Sequence, residues 1–137
     1  MMALMFNNNR ARKSYIETIT QVISFLGLGL MSAVLFAGEA NVLSAKITSL
    51  GDNKYRIDTS VKHEDTGWQH YANAWEVLDD KGTVIGTRVL LHPHVNEQPF
   101  TRSLTLVIPE KIKTVIIRAK DLVHGYGGKE YRLKVPK

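Results

Sequence analysis

Cysteine is absent from all 137 residues of the chain. A disulfide framework, a thiolate zinc site and a thiol nucleophile are therefore excluded. Methionine is confined to Met1, Met2, Met5 and Met31, so a domain built from the later residues has no thioether either, and soft sulfur coordination is closed to it. Charge of one sign is not massed anywhere. Lys and Arg total 18 against 13 acidic residues, a formal balance of +5, and their scatter along the chain argues against a nucleic-acid partner. No internal repeat, low-complexity tract or useful helical i, i+3, i+4 stripe is present. A Gly-x-Ser-x-Gly elbow is missing as well, which leaves a hydrolase without its nucleophile.

Only one long apolar run occurs, over residues 22–37, and it follows a polar start carrying Arg10, Arg12 and Lys13. A basic start, an apolar core and small residues after it are the layout of a secretory signal. Residues 1–40 are read as that signal, with cleavage after Ala40, or after Ala37 as the second choice. An uncleaved anchor is the alternative, because residues 19–38 are barely long enough to cross a hydrocarbon layer of roughly 30 Å. Both readings export residues 41–137 to the periplasm or the exterior, and the membrane is a partner only if the segment stays attached. Without disulfides in an oxidising compartment, that domain depends on its core alone.

Residues 41–137 break into short segments that alternate apolar and polar side chains between turn residues, the pattern of an all-β domain. Leu43, Ala45 and Ile47 form one inward row, followed by Tyr55, Ile57, Thr59 and Val61. A third strand over 71–78 carries Trp75, and Asp79-Asp80-Lys81-Gly82 turns it back into a strand over 83–90. Phe100, Leu104, Leu106 and Ile108, then Val115, Ile117 and Ala119, then Tyr131, Leu133 and Val135 complete the set. Seven antiparallel strands with a Trp on the third predict an immunoglobulin-like β-sandwich.

Strands that alternate in direction send successive connections to alternate ends of a sandwich. His63, His70, His92, His94 and His124 all fall in connections assigned to the same end. Imidazole is the commonest neutral metal ligand, and residues two apart in extended chain, such as His92 and His94 around Pro93, point the same way. Asp121, Glu64, Asp65 and Glu97 lie in the same connections, as further ligands or as acceptors that orient the rings. A nitrogen and oxygen donor set suits Fe, Cu(II) or Zn. Trp68 adds aromatic surface to this end, whereas Tyr71 and Trp75 are assigned to the core.

The stretch His63-Glu64-Asp65-Thr66-Gly67-Trp68-Gln69-His70-Tyr71-Ala72-Asn73-Ala74-Trp75 resembles the His-Pro-(x4)-His-x-Ile-x-Trp segment of the superoxide reductase and desulfoferrodoxin family. Ile117-Arg118-Ala119-Lys120-Asp121-Leu122-Val123-His124-Gly125 resembles its Ala-x-Cys-Asn-x-His-Gly motif. The resemblance implies a seven-stranded sandwich, an iron held by histidines and an axial cysteine, and places His63, His70 and His124 among the ligands. Asp121 stands at the cysteine position, Glu64 replaces the proline, and the family's N-terminal Glu-Lys-His segment has no counterpart. Residues 91–102 and 124–128 also resemble a small exported bacterial family, which brings no activity with it.

The resulting expectation is an exported β-sandwich that binds a transition metal through His63, His70, His92, His94, His124 and Asp121, for carriage, sensing or redox chemistry. If it is an enzyme, a superoxide-reductase-like oxidoreductase is implied by the resemblance. An adhesion, assembly or small-ligand module without metal, whose partner is another exported protein, is the competing expectation.

Overall fold

Tyr55, Ile57, Thr59 and Val61 are buried in β2 (Lys54–Lys62), while the residues between them are exposed or half-buried. That two-residue repeat belongs to a strand with one face on a core and one face in water. The same repeat buries Val115, Ile117, Ala119 and Asp121 in β6 (Thr114–Asp121). The structure, a computed structural model, describes residues 38–137. Its remaining strands are β1 (Asn41–Gly51), β3 (Ala72–Leu78), β4 (Val84–Val89), β5 (Phe100–Val107), β7 (Gly125–Tyr126) and β8 (Tyr131–Lys134).

The strands make two antiparallel sheets, and the described residues contain no helix. One sheet has the order β1-β2-β5; the other runs β4-β3-β6-β7, with β8 also paired to β6. Their apolar faces share one core, in which Val42, Ile57, Val61 and Phe100 of the first sheet meet Trp75, Val77, Val115 and Ile117 of the second. The result is a β-sandwich. No helix among the described residues is long and apolar enough to cross a membrane.

Turn chemistry fixes the register. Asp79 Oδ1 accepts hydrogen bonds from the N–H groups of Lys81 and Thr83 at 2.9 and 2.8 Å, closing the β3–β4 hairpin. At the β1–β2 turn Gly51, Asp52 and Asn53 all have positive φ, at 87°, 52° and 58°, a conformation open to glycine and tolerated by Asp and Asn.

Two sequence expectations need correction. Leu43 is exposed rather than inward, because a bulge between Val42 and Ser44 inserts one residue and moves the buried position to Val42; a one-residue slip exchanges the faces of a strand. The described residues hold eight strands instead of seven, the extra one being β7, whose two residues pair with Lys120 and Asp121 and are too short to show alternation. The expected export signal, apart from its last residues Gly38 to Ala40, lies outside the described residues.

Ala40 is fully buried against the loop that follows β7. Val42 N–H donates to the Lys129 carbonyl at 2.8 Å, and Lys129 N–H donates to Asn41 Oδ1 at 2.7 Å. A Cβ on Gly128 would collide with the Ala40 carbonyl. Gly128→Ala is expected to lower unfolding free energy by about 1–3 kcal/mol, the usual range for overpacking, in urea denaturation.

Candidate metal centre

The inward row of β2 does not stop at Val61; its next position, two residues on, is His63, which is buried. The inward row of β6 likewise ends in buried Asp121. Two apolar rows on facing sheets thus finish in an imidazole and a carboxylate at the same end of the sandwich. His63 Nε2 and Asp121 Oδ2 approach to 4.0 Å.

Asp65 sets the orientation of His63. Its Oδ1 lies 2.5 Å from His63 Nδ1 and accepts from Ala72 N–H at 3.0 Å, while Oδ2 accepts from His94 N–H at 2.7 Å. A carboxylate only accepts, so Nδ1 of His63 carries the hydrogen, and in the neutral form of the ring this tautomer leaves the lone pair at Nε2. His63 N–H in turn donates to Gln98 Oε1 at 3.0 Å. His63 is thereby held through its backbone and through one ring nitrogen, with the other aimed at Asp121.

Asp121 divides its oxygens between two tasks. Oδ1 accepts from Val123 N–H at 2.9 Å and His124 N–H at 2.8 Å, and it also faces His70 Nε2 at 3.0 Å and His124 Nδ1 at 3.1 Å. Among the described residues, Oδ2 is buried with no hydrogen-bond partner, and so is His63 Nε2. Burial pushes the Asp121 carboxyl upward, but the hydrogen bonds from His124 and Val123 outweigh it and hold the group below the usual carboxylate range. Asp121 is thus a carboxylate with one free, desolvated oxygen.

His63, His70 and Asp121 offer ligand atoms that all lie within 4.8 Å of one another. Bonds of about 2.1 Å place the ligands of a tetrahedral or trigonal site about 3.4–3.6 Å apart, so the widest of these separations has to close by roughly an ångström around a shared ion. The His63 and His70 ring centroids are 4.8 Å apart, and those of His70 and His124 are 5.2 Å apart. His124 therefore borders the group from its more exposed side. Trp68 is exposed at the same end and meets Tyr71 edge-on at 5.8 Å, and Trp75 is fully buried.

His92 and His94 form a separate pair, with ring centroids 4.6 Å apart. His92 is exposed and turns Nδ1 to the Pro93 carbonyl at 3.0 Å. His94 stacks on Phe100 at 3.9 Å and accepts from Arg102 Nη2 at Nε2, 2.9 Å away. Its nitrogen is thus already engaged by a guanidinium. Gln98 and Arg102 were not singled out by sequence reasoning; Arg102 stands in the inward row of β5 where an apolar residue is the rule, which is the signal that could have found it. A larger cleft of about 280 Å³ lies at the opposite end, among Asn53, Tyr55, Ile112 and Pro136, with no histidine near it.

No family model matches the sequence. A protein of Halomicrobium mukohataei named "Putative lipoprotein" is 40% identical over 90 residues, which is 66% of this chain and 44% of that protein. The chain thus spans less than half the length of this relative. Among solved structures, a superoxide reductase (1Fe-SOR) from Giardia intestinalis aligns with a TM-score of 0.42 and 18% identity, over 69% of this chain and 99% of that one.

Two outcomes test this geometry. Asp65→Ala leaves three buried donors without an acceptor and is expected to cost at least about 3 kcal/mol in urea denaturation. Burial, reinforced by the charges of Arg102 and His92, holds His94 below its usual value of 6.5. The unfolded ring takes up a proton more readily than the folded one, so stability is complete above about pH 6.5 and declines as pH falls below it. Denaturation midpoints followed from about pH 7.5 to about pH 5.5 are expected to fall less in His94→Gln than in the parent.

Proposed function

We propose that the chain is an exported, immunoglobulin-like β-sandwich whose loop end binds a divalent transition metal through His63, His70 and Asp121, for carriage, sensing or redox chemistry. The observation that carries this reading is the pair of buried, unpartnered lone-pair atoms, His63 Nε2 and Asp121 Oδ2, facing each other at 4.0 Å. Two acceptors cannot satisfy one another, and 4.0 Å is too long for a shared proton. A cation between them resolves both deficits at once. Two imidazoles and a carboxylate form a hard-to-borderline set that suits Zn, Fe(II) or Cu(II) and leaves coordination positions open. Ligation through His70 Nε2 would require the hydrogen it shares with Asp121 Oδ1 to leave that nitrogen. Asp65 would act as the acceptor that fixes the ligating nitrogen of His63.

Export is supported by the basic-then-apolar order of residues 1–37 and by the printed name of the 40% identical relative. The full burial of Ala40 favours a processing boundary at Ala37 over one at Ala40. A binding module without metal has one observation in its favour: Trp68, Leu122 and Val123 are exposed at the same end, which is apolar surface for a partner.

Tag-free protein is expected to take up one equivalent of Zn, Fe(II) or Cu(II) in calorimetric titration. His63→Ala, His70→Ala and Asp121→Asn should each weaken uptake by at least about tenfold, and His92→Ala should leave it unchanged. Absence of stoichiometric uptake, or uptake indifferent to His63→Ala and His70→Ala, would overturn the metal reading in favour of the module.

A further inference from the structure

The inward rows hold a second polar exception, at the open side of the sandwich. Strands β4 and β5 are outer strands of different sheets, and they face each other, since a Cβ on Gly86 would press on the side chains of Leu104 and Leu106. Residues two apart share a face. Arg88 therefore follows Gly86 on the inward side of β4, and Arg102 precedes Leu104 on the inward side of β5. Two guanidinium groups occupy rows otherwise filled by Leu90, Phe100, Leu104 and Leu106.

With Leu90, His92 and His94 they line a pocket of about 80 Å³. Arg88 Nε is buried and has no partner among the described residues. Arg102 donates to the Thr101 carbonyl at 2.8 Å and to His94 Nε2 at 2.9 Å. Its nearest carboxylate, the exposed Glu97, stands off at 3.5 Å. Arg118 on β6, in the same sheet as Arg88, shows the contrast, because both its Nε and Nη2 are bound to Glu76 Oε2 at 3.1 and 3.0 Å. Where this chain uses arginine structurally, it supplies the acid. At Arg88 and Arg102 two like charges line one partly desolvated pocket; the only carboxylate in contact with either among the described residues is Glu97, at 3.5 Å from Arg102, and the buried Arg88 Nε–H is left unmade, which is costly unless something else accepts it.

We infer that this pocket binds a small oxyanion, a carboxylate or a tetrahedral phosphate or sulfate group, in the forks of Arg88 and Arg102. The planar fork of arginine matches these groups through paired N–H donors. A volume of about 80 Å³ holds a head group rather than a whole metabolite, a water molecule taking roughly 30 Å³ of liquid. The exposed side chains of Val89 and Leu91 at the rim provide contact for a short apolar tail, which favours a carboxylate that carries one. The site uses none of His63, His70 or Asp121 and stands apart from the metal reading.

The test titrates the full chain with inorganic phosphate, sulfate, acetate and pentanoate, by calorimetry and by following the guanidinium Nε signals of Arg88 and Arg102 in NMR. Saturable binding of at least one anion is expected, with the Arg88 Nε signal moving along the same isotherm. Arg88→Gln and Arg102→Gln should each weaken it at least about tenfold, and Arg88→Lys, which keeps the charge and loses the fork, should weaken it by less. Pentanoate binding more tightly than acetate supports the apolar rim; phosphate or sulfate binding alone supports a tetrahedral ligand. Saturation by none of the four anions overturns the inference. So does an Arg88 Nε signal that stays still through the titration, which decides the matter even if the variants do not fold. Repetition after chelator treatment separates the sites: anion binding that disappears with the metal yet survives Arg88→Gln overturns the assignment to this pocket.

Discussion

The two oxygens of Asp65 accept from three separate segments of chain, the ring of His63 at the end of β2, the N–H of Ala72 at the start of β3, and the N–H of His94 in the β4–β5 connection. A buried carboxylate cannot remain ionised in an apolar setting without such donors, and Gln98 adds a second tie by accepting from His63 N–H and donating to the His94 carbonyl. The loop end of the sandwich is organised around that carboxylate. It chooses which nitrogen of His63 bears the hydrogen, so that in the neutral ring the lone-pair nitrogen is the one turned toward Asp121. It also anchors the backbone of His94, whose ring closes the wall of the arginine-lined pocket.

The two candidate sites follow from the same constraint. A sandwich buries alternate residues, and every polar group placed in those rows must find a partner. His63 and Asp121 end two facing rows and leave two unsatisfied atoms opposite each other. Arg88 and Arg102 interrupt two other rows at the open edge and leave a guanidinium N–H unmade. Both departures from the apolar rule concentrate unmet hydrogen-bonding capacity at the margin of the core, one as acceptor atoms and the other as positive N–H donors. Sequences tend to break their own local rules at functional sites, where a ligand supplies what the fold withholds. On the two proposals, a cation and an anion would each be matched to a different edge of one core.

Much of this was legible before the structure. The inward rows of β2 and β6 were read correctly because their alternation is long and regular, as in Tyr55, Ile57, Thr59 and Val61. The row of β1 was misread at Leu43, because a bulge changes register without any change in composition. Strand β7 was missed since two residues carry no period. Antiparallel alternation placed all five histidines at one end, which reduced the search to three connections, but it did not separate His92 and His94 from His63 and His70. Loop histidines are placed by long-range hydrogen bonds, such as Arg102 to His94, and these leave no local trace.

By itself the sequence determined the class of fold and the chemistry open to it: alternating segments make sheets, and a chain without cysteine, with methionine only near its start, offers nitrogen and oxygen donors. Tertiary structure alone decided which donors meet. The pairing of β2 with β5 and of β3 with β6 brings His63, His70 and Asp121 together from positions far apart in the chain. The same pairings, with the packing of β4 across β5, set Arg88 beside Arg102. Periodicity specifies the face on which a side chain lies; only the packing of one sheet on the other specifies what stands opposite.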